Sequence, residues 1–240
     1  MARDARVGVT WRAQDPVLPE ADRMLQVFII GQAPRPDLEA EIRAAVPGLP
    51  VRIQGALDGL MREEFAAVAP RSDADTLFTV LPSGECVTVS KAVVTERLRA
   101  KLVATSGPVL LACTGSFKGL PERPDLVQPS AMLNALAEAL LPRGRLGLFV
   151  PLPEQAATLG EARSREGLTL TAVALRPQCD DSTREAAARE MAAARPDLVL
   201  LDCMSYTRRD KAVVSGLLPC PVLLSISVAA RAAASLLPEE

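Results

Sequence analysis

Two stretches of this sequence carry nearly the same pattern. Val109-Leu110-Leu111-Ala112-Cys113-Thr114-Gly115-Ser116-Phe117 is echoed, ninety residues on, by Val199-Leu200-Leu201-Asp202-Cys203-Met204-Ser205-Tyr206-Thr207. Each copy runs from aliphatic residues to a cysteine, then to small polar residues and an aromatic ring. A bounded apolar run flanked by helical patterns reads as a buried strand. Each cysteine therefore falls where a strand ends and a turn begins, and in open parallel sheets that rim is where ligands bind. A chain that writes this unit twice is constrained to build two similar units. If they face each other, two thiols stand on opposite walls of one cleft.

The surrounding pattern agrees. Leu25–Ile30 reads as a strand entering the turn Gly31 to Pro36, followed by a helix with Leu38, Ile42 and Val46 on one face. A short strand is expected at Val51–Ile53. Asp58 is placed to cap a helix presenting Leu60, Met61, Phe65 and Val68. Residues 77–81 and 85–89 flank Pro82-Ser83-Gly84 as a hairpin, and Ser90 caps a helix ending near Ala104. Residues 115–129 read as a loop and Ser130–Leu141 as a helix. The pattern then restarts: a strand from Arg145 enters a turn at Pro151, much as the first strand does. Thr169–Leu175 is a strand, and Ser182-x-x-Glu185 a capping box opening a helix. After the second cysteine strand come a helix over 207–218, a strand at Pro221–Ile226 and an Ala-rich helix. Strands alternating with helices give an α/β fold with parallel sheets in two pseudo-symmetric lobes. The expected division is 24–142 plus about 221–240 for one lobe and 143–220 for the other. Residues 1–23 read as a disordered leader, which leaves Met1 and Met24 as alternative starts.

Composition narrows the chemistry. A net charge of −2 without a basic stripe predicts no nucleic-acid or anionic-membrane partner. No apolar run approaches the roughly 20 residues that span a bilayer. Five cysteines, odd in number and in no metal-ligand spacing, read as reduced thiols of a cytoplasmic protein. There is no histidine. Ser-His-Asp and Cys-His catalysis and His-ligated metals are thereby excluded, and no metal site is expected. Proton chemistry falls to Cys, Asp, Glu, Lys or Tyr.

A pair of opposed thiols is suited to moving a proton on and off a carbon beside a carboxylate. A thiolate takes the proton from one face and a thiol returns one to the other, with roles exchanged in the product. Each sulfur must come within about 3–3.5 Å of that carbon, so the two would lie roughly 7 Å apart. Turn N–H groups aimed at Cys113 and Cys203 would lower their pKa. The same groups, with Thr114, Gly115 and Ser205, would hold a substrate carboxylate. Arg35, after a first-lobe strand, is placed either to clamp that carboxylate or to make a surface ion pair. Tyr206 is placed to line the cleft or pack in the core, and Asp58 to cap a helix or serve as an acid. Cys86, Cys179 and Cys220 have no echo and read as structural.

This two-cysteine, two-lobe plan resembles the aspartate/glutamate/hydantoin racemase superfamily, and within it the AroM family. The resemblance rests on Gly31-Gln32-Ala33-Pro34-Arg35-Pro36-Asp37, Gly55-Ala56-Leu57-Asp58-Gly59-Leu60, the Leu81-Pro82-Ser83-Gly84 to Ser90 segment, and Leu200-Leu201-Asp202-Cys203. It implies paired flavodoxin-like lobes, a site between them and no cofactor. The sequence departs from the superfamily in having Thr-Gly after Cys113 and Met-Ser after Cys203, where Asn-Thr and Thr-His are usual. The expectation is a racemase, epimerase or isomerase in which Cys113 and Cys203 act on a small carboxylate-bearing substrate. Gln32, Arg35, Asp58, Ser90, Thr114, Gly115, Pro151, Met204, Ser205, Tyr206 and Ser225 form the candidate binding set. Alternatives are a decarboxylase or cis–trans isomerase with one catalytic cysteine, and a non-catalytic small-molecule binder. A homo-oligomer is left open.

Overall fold

A computed structural model describes residues 23–156 and 165–238; the leader expected at 1–23 lies almost wholly outside them. Two four-stranded parallel sheets carry the fold. In the first, β1 (Leu25–Ile29) pairs with β2 (Val51–Gly55) on one side and β5 (Val109–Leu111) on the other, with β6 (Leu126–Val127) beyond β5. In the second, β7 (Gly144–Val150) pairs with β8 (Leu168–Ala174) and β9 (Leu198–Leu201), with β10 (Val222–Leu224) beyond β9. Each sheet thus places its second strand outermost, then its first, third and fourth. β1, β5 and β9 are buried at every residue, as continuous apolar runs covered on both faces must be. The hairpin β3 (Thr76–Val80) and β4 (Cys86–Ser90) forms a separate antiparallel pair.

The α-helices complete within the described residues are α1 (Pro36–Ala45), α2 (Lys91–Val103), α3 (Pro129–Leu140), α4 (Asp181–Ala193), α5 (Arg208–Leu217) and α6 (Ser225–Ala234). Among the described residues no helix is long and apolar enough to cross a membrane. Leu133 and Ala137 of α3 are buried among Leu146, Leu148, Val150, Leu198 and Leu200 of the second sheet. α6 packs instead on α1, α3, β5 and β6, so each half sends its last helix to the other. The final strand departs from expectation. Rather than returning to the first lobe, β10 pairs with β9 in register Val222↔Val199 to Leu224↔Leu201, where Val222 and Leu224 are buried; only the helix crosses over.

Two local expectations also change. Asp58 caps no helix; the segment after it is a 3-10 helix over Arg62–Val68 whose N-cap is Met61. The cap of α4 is Asp180, which accepts from Thr183 N–H at 2.8 Å, and Ser182 lies inside the first turn. Asp has one acceptor more than Ser and carries the charge a helix N-terminus favours.

Candidate active site between the lobes

The repeated sheet order fixes where a site can form. In each lobe the chain reverses direction of winding between its first and third strands, and ligands bind beyond the carboxyl ends of such strands. The register is equivalent in both: Ala112 N–H donates to the Phe28 carbonyl at 2.7 Å, and Asp202 N–H to the Phe149 carbonyl at 2.9 Å. Cys113 and Cys203 follow, one residue further along in each case. Both line a cavity of about 470 Å³ to which both lobes contribute, a size ordinary for a small-molecule site. The Thr114 hydroxyl donates to the Asp202 carbonyl at 3.0 Å, tying one wall to the other. Glu41 of α1 adds a second tie, accepting from both Arg208 N–H and Nε.

The two sulfurs have matching surroundings. Gly115 N–H donates to Cys113 Sγ at 3.3 Å and Ser205 N–H to Cys203 Sγ at 3.4 Å. A Cβ on Gly115 would lie 3.4 Å from Cys113 Sγ and 3.1 Å from Leu77, so this turn has little room for a side chain. The N–H groups lower the thiol pKa as expected, but burial acts the other way and is larger. It pushes Cys113 up to about 12 and Cys203 up to about 11, aided at Cys113 by the Cys203 and Asp202 charges. Both are therefore thiols at neutral pH, against the expectation of lowered values. Cys113 is followed by a loop, not a helix, so no helix end supports its thiolate.

Of the candidate binding residues, Arg35, Thr114, Gly115, Pro151, Met204 and Ser205 line the cavity with the cysteines. Arg35 is not free to clamp a substrate. Its Nε and Nη2 donate to the two oxygens of Asp37 at 2.8 and 2.7 Å, and Nη1 donates to the Val80 carbonyl at 2.9 Å. Burial would raise the Asp37 carboxyl, but the bonds and charge of Arg35 hold it below its usual value. Only a long contact of 3.5 Å from Nη2 to the Ser205 hydroxyl reaches toward the cleft.

The other five candidates lie outside the cavity lining. Gln32 Nε2 donates to the Leu57 and Leu60 carbonyls, and Asp58 accepts from Ala33 and Gly55 N–H at 2.8 and 2.7 Å. These bonds join the turns after β1 and β2, where a Cβ on Gly55 would sit 2.4 Å from the Gly31 carbonyl oxygen; the motif residues shape the rim from behind. Ser90 caps α2 through Val93 N–H. Ser225 is fully buried and donates to the Leu201 carbonyl. Tyr206 is fully buried too, its hydroxyl on the Leu175 carbonyl, and burial raises its pKa well above the ordinary value. Replacing Tyr206 with Phe is expected to lower stability by about 1–2 kcal/mol, from the unsatisfied carbonyl left behind. Turnover should be unchanged; urea unfolding and an activity assay on one preparation check both.

Sequence reasoning missed Lys91, Asn134, Ser130 and Asp202, all in the cavity lining. Lys91 had a signal: it is the first residue of α2, where a cation opposes the helix dipole. Asn134 and Ser130 had none, because nothing local shows that α3 crosses to the other lobe. Among the described residues no group of three or more His, Cys, Asp or Glu is placed to hold a metal ion.

The model of the family described as AroM protein matches residues 25–237. Similar solved structures include arylmalonate decarboxylase, at 19% identity and TM-score 0.55, covering 90% of this chain and 93% of that one. A glutamate racemase from Francisella tularensis in complex with D-glutamate gives 11% and 0.54, covering 90% and 81%. Allantoin racemase from Klebsiella pneumoniae gives 18% and 0.52, covering 89% and 87%. At these identities the likeness is one of fold. No curated protein matches by sequence.

Proposed function

Because this chain belongs to the AroM protein family, on a fold shared with racemases and a decarboxylase, we propose that it is a cofactor-independent racemase or epimerase of a small carboxylate-bearing substrate. One observation carries the reading: Cys113 and Cys203 end equivalent strands, accept equivalent N–H bonds and line one cavity. The thiolate of one cysteine removes the proton on the carbon beside the carboxylate; a C–H bond breaks and an S–H bond forms. The electron pair left behind delocalises into the carboxylate. The other cysteine then gives its proton to the opposite face, so its S–H bond breaks and a new C–H bond forms. The negative charge has moved from one sulfur to the other, and the pair is set for the reverse reaction.

Incubation with single enantiomers of small 2-substituted acids, without added cofactor, tests this. Chiral chromatography is expected to show approach to the racemate for at least one acid class. Release of carbon dioxide from a malonate, or a changed double-bond geometry, without inversion would assign the cavity to decarboxylation or cis–trans isomerisation instead. Binding without conversion would make it a sensor.

A further inference from the structure

The residue expected to receive a substrate carboxylate, Arg35, spends its fork on Asp37 and the Val80 carbonyl. Among the described residues, Lys91 is the other basic residue of the cavity lining, and no carboxylate lies within ion-pair distance of it. Its position makes this costly. It opens α2, whose first turn has no acidic residue, and a cation there meets the positive end of the helix dipole. Asp75 relieves the helix end through Ala92 N–H, its other oxygen accepting from Arg71 N–H, and leaves the ammonium unpaired. Asp73 and Asp202 also line the cavity, so among the described residues Lys91 is the group that makes it receptive to an anion. The cavity wall holds a second unmet polar atom: Asn134 Oδ1 is buried without a hydrogen-bond partner among the described residues. Neither arrangement suits an apolar core; both suit a polar occupant.

We infer that Lys91 is the residue that anchors the anionic end of the cavity's ligand, on the Cys113 side, leaving Arg35 a structural part. The inference rests on the cavity being the ligand site, and it makes Lys91 a specificity-determining group for small carboxylates. It also acts on the sulfur, since the Lys91 charge favours the Cys113 thiolate.

Two alkylating reagents of one size test it, iodoacetate (an anion) and iodoacetamide (neutral). Their rate ratio at one thiol cancels the thiolate fraction, which a bare rate does not. The ratio is read at Cys113 by peptide mass spectrometry at low ionic strength, with Cys220, outside the cavity lining, as internal reference. The Cys113 ratio should exceed the Cys220 ratio by about fivefold or more, as expected where a cation lines the same cavity as the sulfur. K91M should erase that excess, K91R should restore most of it, and added salt should shrink it. Urea unfolding of K91M beside the wild type shows that the variant is folded. A Cys113 ratio no higher than that of Cys220, one that K91M leaves intact, or a Cys113 that neither reagent reaches would overturn the inference. None of these readouts depends on turnover, so loss of the racemase reading and loss of the Lys91 anchor are separate results.

Discussion

Replacing either Cys113 or Cys203 with alanine is expected to lower racemisation by about 10²–10⁴-fold, the usual worth of a positioned general acid or base. The two variants should fail equally in turning one enantiomer into the other, because inversion needs a sulfur on each face. They should fail differently in detail. With Cys203 absent, Cys113 can still take and return a proton on its own side, and the converse holds for the other variant. Serine is no substitute, because a hydroxyl ionises far above a thiol even when the thiol is raised. Stability should fall by about 1–2 kcal/mol, since the sulfurs line the cavity but also pack against the core, where Cys203 is a buried member. Urea unfolding separates loss of chemistry from loss of fold. Full racemisation by either alanine variant would exclude the two-thiol scheme.

The second large effect is on pH dependence. The scheme needs one thiolate and one thiol. Burial raises Cys203 to about 11 and Cys113 to about 12, so at neutral pH the singly ionised pair is scarce. Its population grows tenfold per pH unit up to the lower value, because a raised thiol stays protonated until pH reaches it. It declines above the higher value, when the second thiol ionises and the acid is lost. For a substrate that does not titrate in this range, kcat/KM should therefore rise about a thousandfold from pH 7 to pH 10 with unit slope. kcat/KM is the quantity to measure, because it reports the free enzyme. A profile already flat by pH 8 would mean that a group other than these buried thiols supplies the base.

Much of the fold is legible in the residues, for identifiable reasons. β5 and β9 are short, wholly buried and aliphatic, so their sequences admit few readings, and the echo fixes where their cysteines stand. What the sequence hides is non-local. Asp58 looks like a helix cap because its neighbours form a plausible helix; it accepts instead from Gly55 N–H, three residues before it, and from Ala33 N–H, which the pairing of β1 with β2 brings to it. Tyr206 sits three residues past Cys203 and looks like a cleft residue, yet its ring turns inward to the Leu175 carbonyl. The acidity of the thiols is hidden for the same cause. Local turn N–H groups predict a lowered pKa, while desolvation, which depends on both lobes closing over the sulfurs, decides the sign. Asn134 enters the cavity lining only because α3 lies against the opposite sheet.

Deuterium exchange tests the central claim most directly. In heavy water, wild-type protein should deliver the inverted enantiomer carrying one deuterium on the carbon beside the carboxylate. C113A and C203A should each label one enantiomer, a different one for each variant, without inverting it. Inverted product that keeps the original hydrogen, or both variants labelling the same enantiomer, would contradict two sulfurs working from opposite faces.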